Sequence, residues 1–483
     1  MDPTWTSATA LAQALKLRRI GAVELLEHQR RRVEARNAGI NAVVVTDWER
    51  ARARAERADV AFAQGDAWGP LHGVSMTVKE SFDVEGLPTT SGSAGLKDNV
   101  ATRHSDAAQR LVDAGAIVYG KTNVPLFTGD LQTYNEVYGT TNNPWDLSRG
   151  PGGSSGGAAA ALAAGLTPLE LGSDIGGSIR NPAHFCGVYG HKPSYGLISL
   201  RGHVPGAPGS WVQPDIGVAG PMARHAEDLD LGLSVMAGPN EWDAVGWKVD
   251  LPPPRGEGLK DYRIAVCPDH AFCRVDSEIA DLVVAAADAL ARAGAQVGAA
   301  TPKLEFGDSF RRFYGMLSAT LASDYPDKLM ERLAGRAATA VDPASLDTVF
   351  ARGATQSHAA YLRAESGRQN DRAVWASFFR DWDVFLCPVI MTPAFPHDQQ
   401  ANQMARRLVV NGELRPYMDA VGWAGLIGNV RLPSTAVPIG RTKAGLPVGM
   451  QIVGPYLEDR TCIDVAKHLA GLIGGFVAPP GYA

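Results

Sequence analysis

The stretch from Gly150 to Gly177 constrains this chain more than any other part of it. It holds two glycine–serine clusters, Gly152-Gly153-Ser154-Ser155-Gly156-Gly157 and Gly172-Ser173-Asp174-Ile175-Gly176-Gly177, the second running on into Ser178-Ile179-Arg180. Flexible linkers are also rich in glycine and serine. A linker would not, however, carry the apolar run Ala158–Leu166 and the strand-like Thr167–Leu171 between its glycines. The pattern predicts a loop, a buried helix, a strand and a tight turn, in that order. Alanines allow the helix to pack closely, and glycines allow backbone to approach backbone.

The flanking sequence reads as alternating strands and helices. Residues 7–64 are expected to be helical: Leu11, Leu15, Ile20 and Val23–Leu26 supply apolar faces, and Trp48–Ala63 is rich in Ala, Arg and Glu. Gly69–Pro70 breaks the chain, and Gly73–Val78 reads as a short buried strand ending at Lys79. Ser105–Ala114 reads as a helix closed by Gly115, and Ala116–Tyr119 as another strand. Thr122–Gly153 is polar and mostly loop. Beyond Pro253–Pro254, Tyr262–Cys267 is strand-like. Ile279, Leu282, Val283, Ala286, Leu290 and Ala293 then share one helical face, with Gly294 at its C-terminal cap. Leu304–Arg380 is helical, aromatic-rich and reads as an insert. Val384–Leu386, Ser434–Ile439 and Val448–Val453 are later strands. Alternation of this kind argues for a layered α/β sheet.

Composition excludes several classes of function. Of 483 residues, 45% are apolar and 20% charged, and the formal net charge is −5, as in ordinary soluble domains. No block of like charge stands out. The basic run Arg30–Arg32 lies in Ala22–Glu34, where signs alternate as on a solvated helix face. Nucleic-acid binding is therefore not expected. Met1–Ala14 lacks a basic segment followed by an apolar core, so no signal peptide is expected. Ala158–Leu166 is too short to span a bilayer. The five cysteines (Cys186, Cys267, Cys273, Cys387, Cys462) are scattered, odd in number and form no C-x-x-C pair. They read as buried apolar residues of a protein in a reducing, cytoplasmic compartment.

Two local matches mislead. Gly115–Thr122 fits the phosphate-loop pattern G-x-x-x-x-G-K-[ST], but Ala116–Tyr119 reads as strand and Asn123-Val124-Pro125 opposes the helix that must follow. Gly152–Gly156 fits G-x-S-x-G, but Asn142–Pro151 holds two prolines and no apolar strand to feed a nucleophile elbow. No metal-ligand spacing is present, and neither metal nor cofactor is expected.

The ordered set of motifs closely resembles the amidase-signature family. It comprises Leu71-His72-Gly73-Val74 leading to Lys79, Gly120-Lys121-Thr122-Asn123, the two glycine–serine clusters and Arg180-Asn181-Pro182-Ala183. It continues with Cys186-Gly187-Val188-Tyr189-Gly190-His191-Lys192-Pro193 and Gly445-Leu446-Pro447-Val448-Gly449-Met450-Gln451. The resemblance covers most of the chain. It implies an α/β fold, a mixed central β-sheet covered by helices on both faces, in one domain spanning 1–483. Helices 1–64 would form its N-terminal part, and insert 304–380 would lie near the substrate entrance. Catalysis would rest on Ser178 as nucleophile, Ser154 as a bridging serine after a cis Gly153–Ser154 bond, and Lys79 as base. The N–H groups of Ile175, Gly176, Gly177 and Ser178 would form the oxyanion hole, with Gly153, Ser155, Asp174 and Arg180 in support. Asp174 and Arg180 read as a structural ion pair rather than as catalysts.

That assignment agrees with elementary chemistry. A serine hydroxyl needs an adjacent base. Lysine serves only when neutral, and holding it so at pH 7 costs roughly 4–5 kcal/mol from an ordinary pKa of about 10.4. Burial lowers a lysine pKa by several units, and Lys79 follows Val74, Met76 and Val78. Activity should then fall on the acid side of neutral. A hydroxyl both donates and accepts, as a relay at Ser154 requires.

Three substrate readings follow. The first is a free-standing amidohydrolase acting on a carboxylic amide or anilide, a hydrophobic or aromatic one in preference to a small polar one. The second is a related carbamate hydrolase. The third is the glutaminase-type subunit of a tRNA-dependent amidotransferase, against which Ile175 counts, because that subunit usually carries Thr there. Specificity is expected from Leu126–Tyr138, with Phe127, Thr128, Gly129 and Tyr134 as pocket residues, from Trp211–Ile216 and from the insert. Phe313, Tyr314 and Trp423 are further aromatic candidates. The expected partner is a small-molecule substrate, with a homodimer compatible with the sequence and no membrane association.

Overall fold

The computed structural model describes residues 2–204 and 212–483. Eleven strands form one sheet: β1 (Val43–Thr46), β2 (Ser75–Lys79), β3 (Ile117–Thr122), β4 (Leu169–Asp174), β5 (Tyr189–Lys192), β6 (Val218–Ala223), β7 (Arg263–Val266), β8 (Gln296–Ala299), β9 (Val384–Pro388), β10 (Ser434–Arg441) and β11 (Pro447–Val453). Their order is β1-β3-β2-β4-β6-β5-β10-β11-β9-β7-β8. β3, β2 and β4 run parallel, as do β9, β7 and β8, while the pairings through the middle of the sheet are antiparallel. This is the expected α/β class with a mixed central sheet. One apolar core runs from Ala8 to Leu469, and the insert carries a small cluster of its own at Ala322, Leu333, Ala351 and Ala354.

The parallel pairing of β2 with β4 sets Thr77 against Glu170 and Val78 against Leu171. The carboxyl ends of the two strands therefore lie side by side, the edge at which α/β sheets usually hold their ligands. Lys79 ends β2, and Asp174 ends β4 just before the second glycine–serine cluster closes. Between the clusters runs the helix Gly156–Ala163, buried along its whole length. Its glycines are required by close approach: a Cβ would lie 2.2 Å from Thr133 Oγ1 at position 156 and 2.3 Å from the Asn123 backbone nitrogen at position 157.

Several elements depart from the sequence reading. Residues 7–64 are not all helix. Helices Ala8–Lys16, Ala22–Ile40 and Trp48–Ala63 are interrupted by β1, where the β-branched Val43-Val44-Val45-Thr46 pairs antiparallel with β3. β3 continues through Gly120 to Thr122, because a glycine lets the Val45 carbonyl approach to within 2.4 Å of where a Cβ would sit. Lys121 thus lies within a buried strand and donates to Thr89 Oγ1, so the phosphate-loop pattern fails structurally as well. β5 and β6 are not visible in the sequence pattern, because Gly190, Gly220 and Pro221 interrupt their apolar runs. The insert folds as four helices, Phe306–Leu321, Asp327–Thr339, Leu346–Ala354 and His358–Asp381. All five cysteines are buried and unbridged. Among the described residues no helix is long and apolar enough to cross a membrane.

Candidate active site

Lys79 leaves the end of β2 fully buried, and its Nζ meets three hydroxyls: Ser154 at 2.7 Å, Ser155 at 2.9 Å and Ser173 at 2.9 Å. Burial in this pocket drives its pKa down to about 7, against the upward pull of Asp174 and Glu170. Glu170 is itself pushed up to about 8 by burial, with hydrogen bonds from Thr77 working against the shift. Near neutrality Lys79 therefore exchanges between ammonium and free amine.

Ser154 follows a cis peptide bond from Gly153. Gly153 is hemmed in by the loop ahead of it: a Cβ there would lie 2.4 Å from the Asp130 carbonyl oxygen and 2.7 Å from the Gln132 nitrogen. The first cluster is tied to the second by the Ser155 N–H, which donates to the Ser178 carbonyl at 3.0 Å. Ser178 is 8% exposed, where Ser154 is 1% and Lys79 0% exposed, so of the three it is the most exposed. Among the described residues no hydrogen bond joins Ser178 Oγ to Ser154 Oγ. Such bonds often close only when substrate is bound.

Asp174 organises the turn that carries Ser178. Its carboxylate accepts from the N–H of Gly177 at 2.9 Å and of Ile179 at 3.0 Å, and from Arg180 through Nε at 3.1 Å and Nη2 at 2.9 Å. Arg180 also donates to Gln451 Oε1 at 3.0 Å. Burial works to raise the Asp174 pKa, but the guanidinium beside it prevails and holds it at about 2. The pair is wholly buried and anchors the loop. Of the four N–H groups expected to form the oxyanion hole, that of Gly177 is thus engaged inside the turn. The N–H groups of Ile175, Gly176 and Ser178 make no hydrogen bond among the described residues. Ile175 and Gly176 are also partly exposed.

The expected pocket residues separate into two groups. Phe127, Thr128, Gly129 and Tyr134 belong to the loop that backs Gly153. Phe127 is 45% exposed, and the Tyr134 hydroxyl accepts from Arg406 at 2.7 Å and reaches Asp130 at 3.3 Å. Phe313, Tyr314 and Trp423 are core residues instead, each almost fully buried, with the Trp423 indole donating to the Cys273 carbonyl. Beside the Ile175–Gly176 turn are Val421, 3.4 Å from where a Cβ on Gly176 would sit, and Gly428, whose Cβ would lie 3.5 Å from the Ile175 carbonyl and 3.1 Å from the Phe313 ring. The first insert helix thus packs on Gly422–Asn429, which in turn borders the Ile175 turn. Trp211 lies outside the described residues, and Val212 is 82% exposed. Ser173 and His203 are site residues that the sequence does not single out. Ser173 stands within a recognised cluster, but nothing local distinguishes His203 from the other histidines.

Comparison with known proteins finds relatives over nearly the whole length of the chain. A family model described as amidase matches residues 24–463. The chain is 32% identical to a glutamyl-tRNA(Gln) amidotransferase subunit from Nostoc punctiforme, covering 95% of this chain and 96% of that one. It is also 32% identical to an acylamidase of Rhodococcus erythropolis, over 96% and 94% of the two chains. Among solved structures, a bacterial aryl acylamidase described as an amidase-signature enzyme superposes with a TM-score of 0.80 at 25% identity, covering 97% and 96% of the chains. A 6-aminohexanoate cyclic dimer hydrolase superposes with a TM-score of 0.79 at 26% identity, covering 99% of each.

Proposed function

The chain belongs to the amidase-signature family of amide-bond hydrolases, and from that premise we propose that it is a free-standing amidohydrolase working through a Ser178 acyl-enzyme. The observation that carries the reading is the Lys79 amine, buried, titrating near neutrality and 2.7 Å from the hydroxyl of Ser154. In the proposed reaction Ser178 Oγ attacks the amide carbonyl carbon. Its proton passes to Ser154 Oγ as the Ser154 proton passes to Lys79 Nζ. The carbonyl oxygen becomes an oxyanion facing the N–H groups of Ile175, Gly176 and Ser178, whose preorganised dipoles stabilise it. Collapse breaks the C–N bond, and the departing amine takes the proton back through Ser154. Water then attacks the acyl-enzyme by the same relay, releasing the acid and restoring Ser178.

The apolar Val421 side chain beside the Ile175–Gly176 turn supports a hydrophobic amide or anilide, with a carbamate as the related alternative. A second reading, the glutaminase-type subunit of an amidotransferase, is favoured by the similarity to the Nostoc punctiforme protein. Ile175 before Gly176-Gly177-Ser178 weighs toward the hydrolase. The purified chain should hydrolyse members of a panel of anilides, primary amides, fatty amides and carbamates without a partner. Glutamine hydrolysis alone, dependent on added partner proteins, would overturn the first reading in favour of the second. Fluorophosphonate labelling should be lost in Ser178→Ala.

A further inference from the structure

A free amine has two N–H groups and one lone pair, and Lys79 is surrounded by three hydroxyls. For Ser154 to hand over its proton, the lone pair must face Ser154, and both N–H groups must donate to Ser155 and Ser173. Those two serines must then point their own hydrogens elsewhere. Ser155 has an outlet, since its hydroxyl donates to the Ser173 carbonyl at 3.3 Å. Ser173 has another, the imidazole of His203, whose Nε2 lies 2.9 Å from Ser173 Oγ.

The backbone fixes that imidazole in place. The Val204 N–H donates to the Ser81 carbonyl at 2.7 Å and the Asp83 N–H to the Gly202 carbonyl at 2.8 Å, so the chain at 202–204 runs against the segment that follows Lys79. Phe82 meets the ring edge-on with centroids 4.6 Å apart, and Ser81 Oγ approaches Nε2 at 3.1 Å.

We propose that His203 is a positioning residue for the reaction: by accepting at Nε2 it holds the Ser173 hydrogen away from Lys79, so that the amine keeps its lone pair for Ser154. The proposal rests on Lys79 being the base. The charged or titratable groups facing Lys79 are Asp174, Glu170 and the imidazole itself, and the one facing His203 is Lys79. Burial and the neighbouring amine lower the His203 pKa to about 3, so the ring stays neutral and able to accept throughout the working range. Without this acceptor the Ser173 hydroxyl is free to donate to Lys79, which occupies the lone pair and also favours the uncharged amine.

The test is anilide hydrolysis by the full chain across about pH 5 to 9, comparing kcat, KM and the acid limb in wild type and variants. His203→Phe should lower kcat by roughly tenfold with little change in KM, and move the acid limb to lower pH. His203→Gln, which returns an acceptor near the Nε2 position, should restore kcat to within about threefold of wild type. In a Ser173→Ala background, His203→Phe should make no further difference, because the hydrogen it controls is gone. If His203→Phe fails to fold, His203→Asn, too short to reach Ser173, replaces it. A kcat within about twofold of wild type with an unmoved acid limb, or an equal loss in both backgrounds, overturns the proposal. Lys79→Ala separates the two readings. Retained activity there would remove the base itself, whereas its loss beside an unaffected His203→Phe would remove only the role given to His203.

Discussion

Lys79 Nζ and Ser154 Oγ, from a strand end and a loop 75 positions apart, meet at 2.7 Å with solvent excluded from both. The amine titrates near 7 because burial disfavours its charge. Only the free amine accepts a proton, so kcat/KM should fall about tenfold per pH unit below that midpoint and level off above it. Lys79→Arg should lose at least about a thousandfold, because a guanidinium stays charged at every working pH. A pH–rate profile with full activity at pH 4, or an active arginine variant, would contradict the assignment.

Asp174 and Arg180 are a matched buried pair, and removing one partner leaves the other charged and alone. Asp174→Asn and Arg180→Met should each destabilise the fold by about 3–5 kcal/mol in denaturant titrations. The double variant should recover part of that loss. Because Asp174 is held at about 2, below its ordinary value, the stability it contributes is present above about pH 4. It is lost as pH falls through 2. Unchanged melting of either single variant at pH 7 would refute the anchoring role.

Glu170 behaves in the opposite sense. Burial raises its pKa to about 8, so between its ordinary value and 8 the folded chain holds a proton that the unfolded chain releases. Stability contributed by this site therefore declines as pH rises through that window. Glu170→Gln keeps an acceptor for the Thr77 hydroxyl without the titration. Relative to wild type, the variant should gain stability progressively from about pH 4.5 to 8, by up to a few kcal/mol. Thermal melts in both chains at a series of pH values decide it, and a difference independent of pH would count against the raised pKa.

The parts of this molecule legible in its sequence are those whose residue types are forced by backbone geometry. Gly156 and Gly157 have no room for a Cβ, and the alanines between the clusters lie in a helix buried on every side. The helix, the strand before Asp174 and the turn after it are thus visible in composition alone. β5 and β6 are not, because Gly190, Gly220 and Pro221 sit inside strands for the sake of close packing and mimic turn signals. Lys79 stands out only through the family resemblance, since an apolar strand ending in lysine is common. His203 carries no such signal, because its role depends on a contact with Ser173 that only the three-dimensional path of 202–204 creates. The family resemblance implies an oxyanion role for the Gly177 N–H, and only the folded turn reveals the Asp174 carboxylate that it meets.

Two adjacent glycines in that turn carry different constraints. Gly177 has φ +108°, and a Cβ there would meet Asn181 at 2.6 Å. Gly177→Ala should cost at least about 1–3 kcal/mol of stability from strain and overlap, and should weaken the Asp174 bond to the turn. Gly176 has ordinary backbone, and its Cβ would meet only Val421, at 3.4 Å. Gly176→Ala should therefore fold with a melting temperature close to wild type. It would nevertheless set a methyl beside N–H groups proposed to receive the oxyanion. Loss of one such donor costs roughly a hundredfold or more in kcat, so even partial obstruction should lower kcat/KM by about tenfold or more. Paired melting curves and kinetics test both variants. A Gly176→Ala enzyme with unimpaired turnover would move the oxyanion away from this turn, and with it the attack by Ser178.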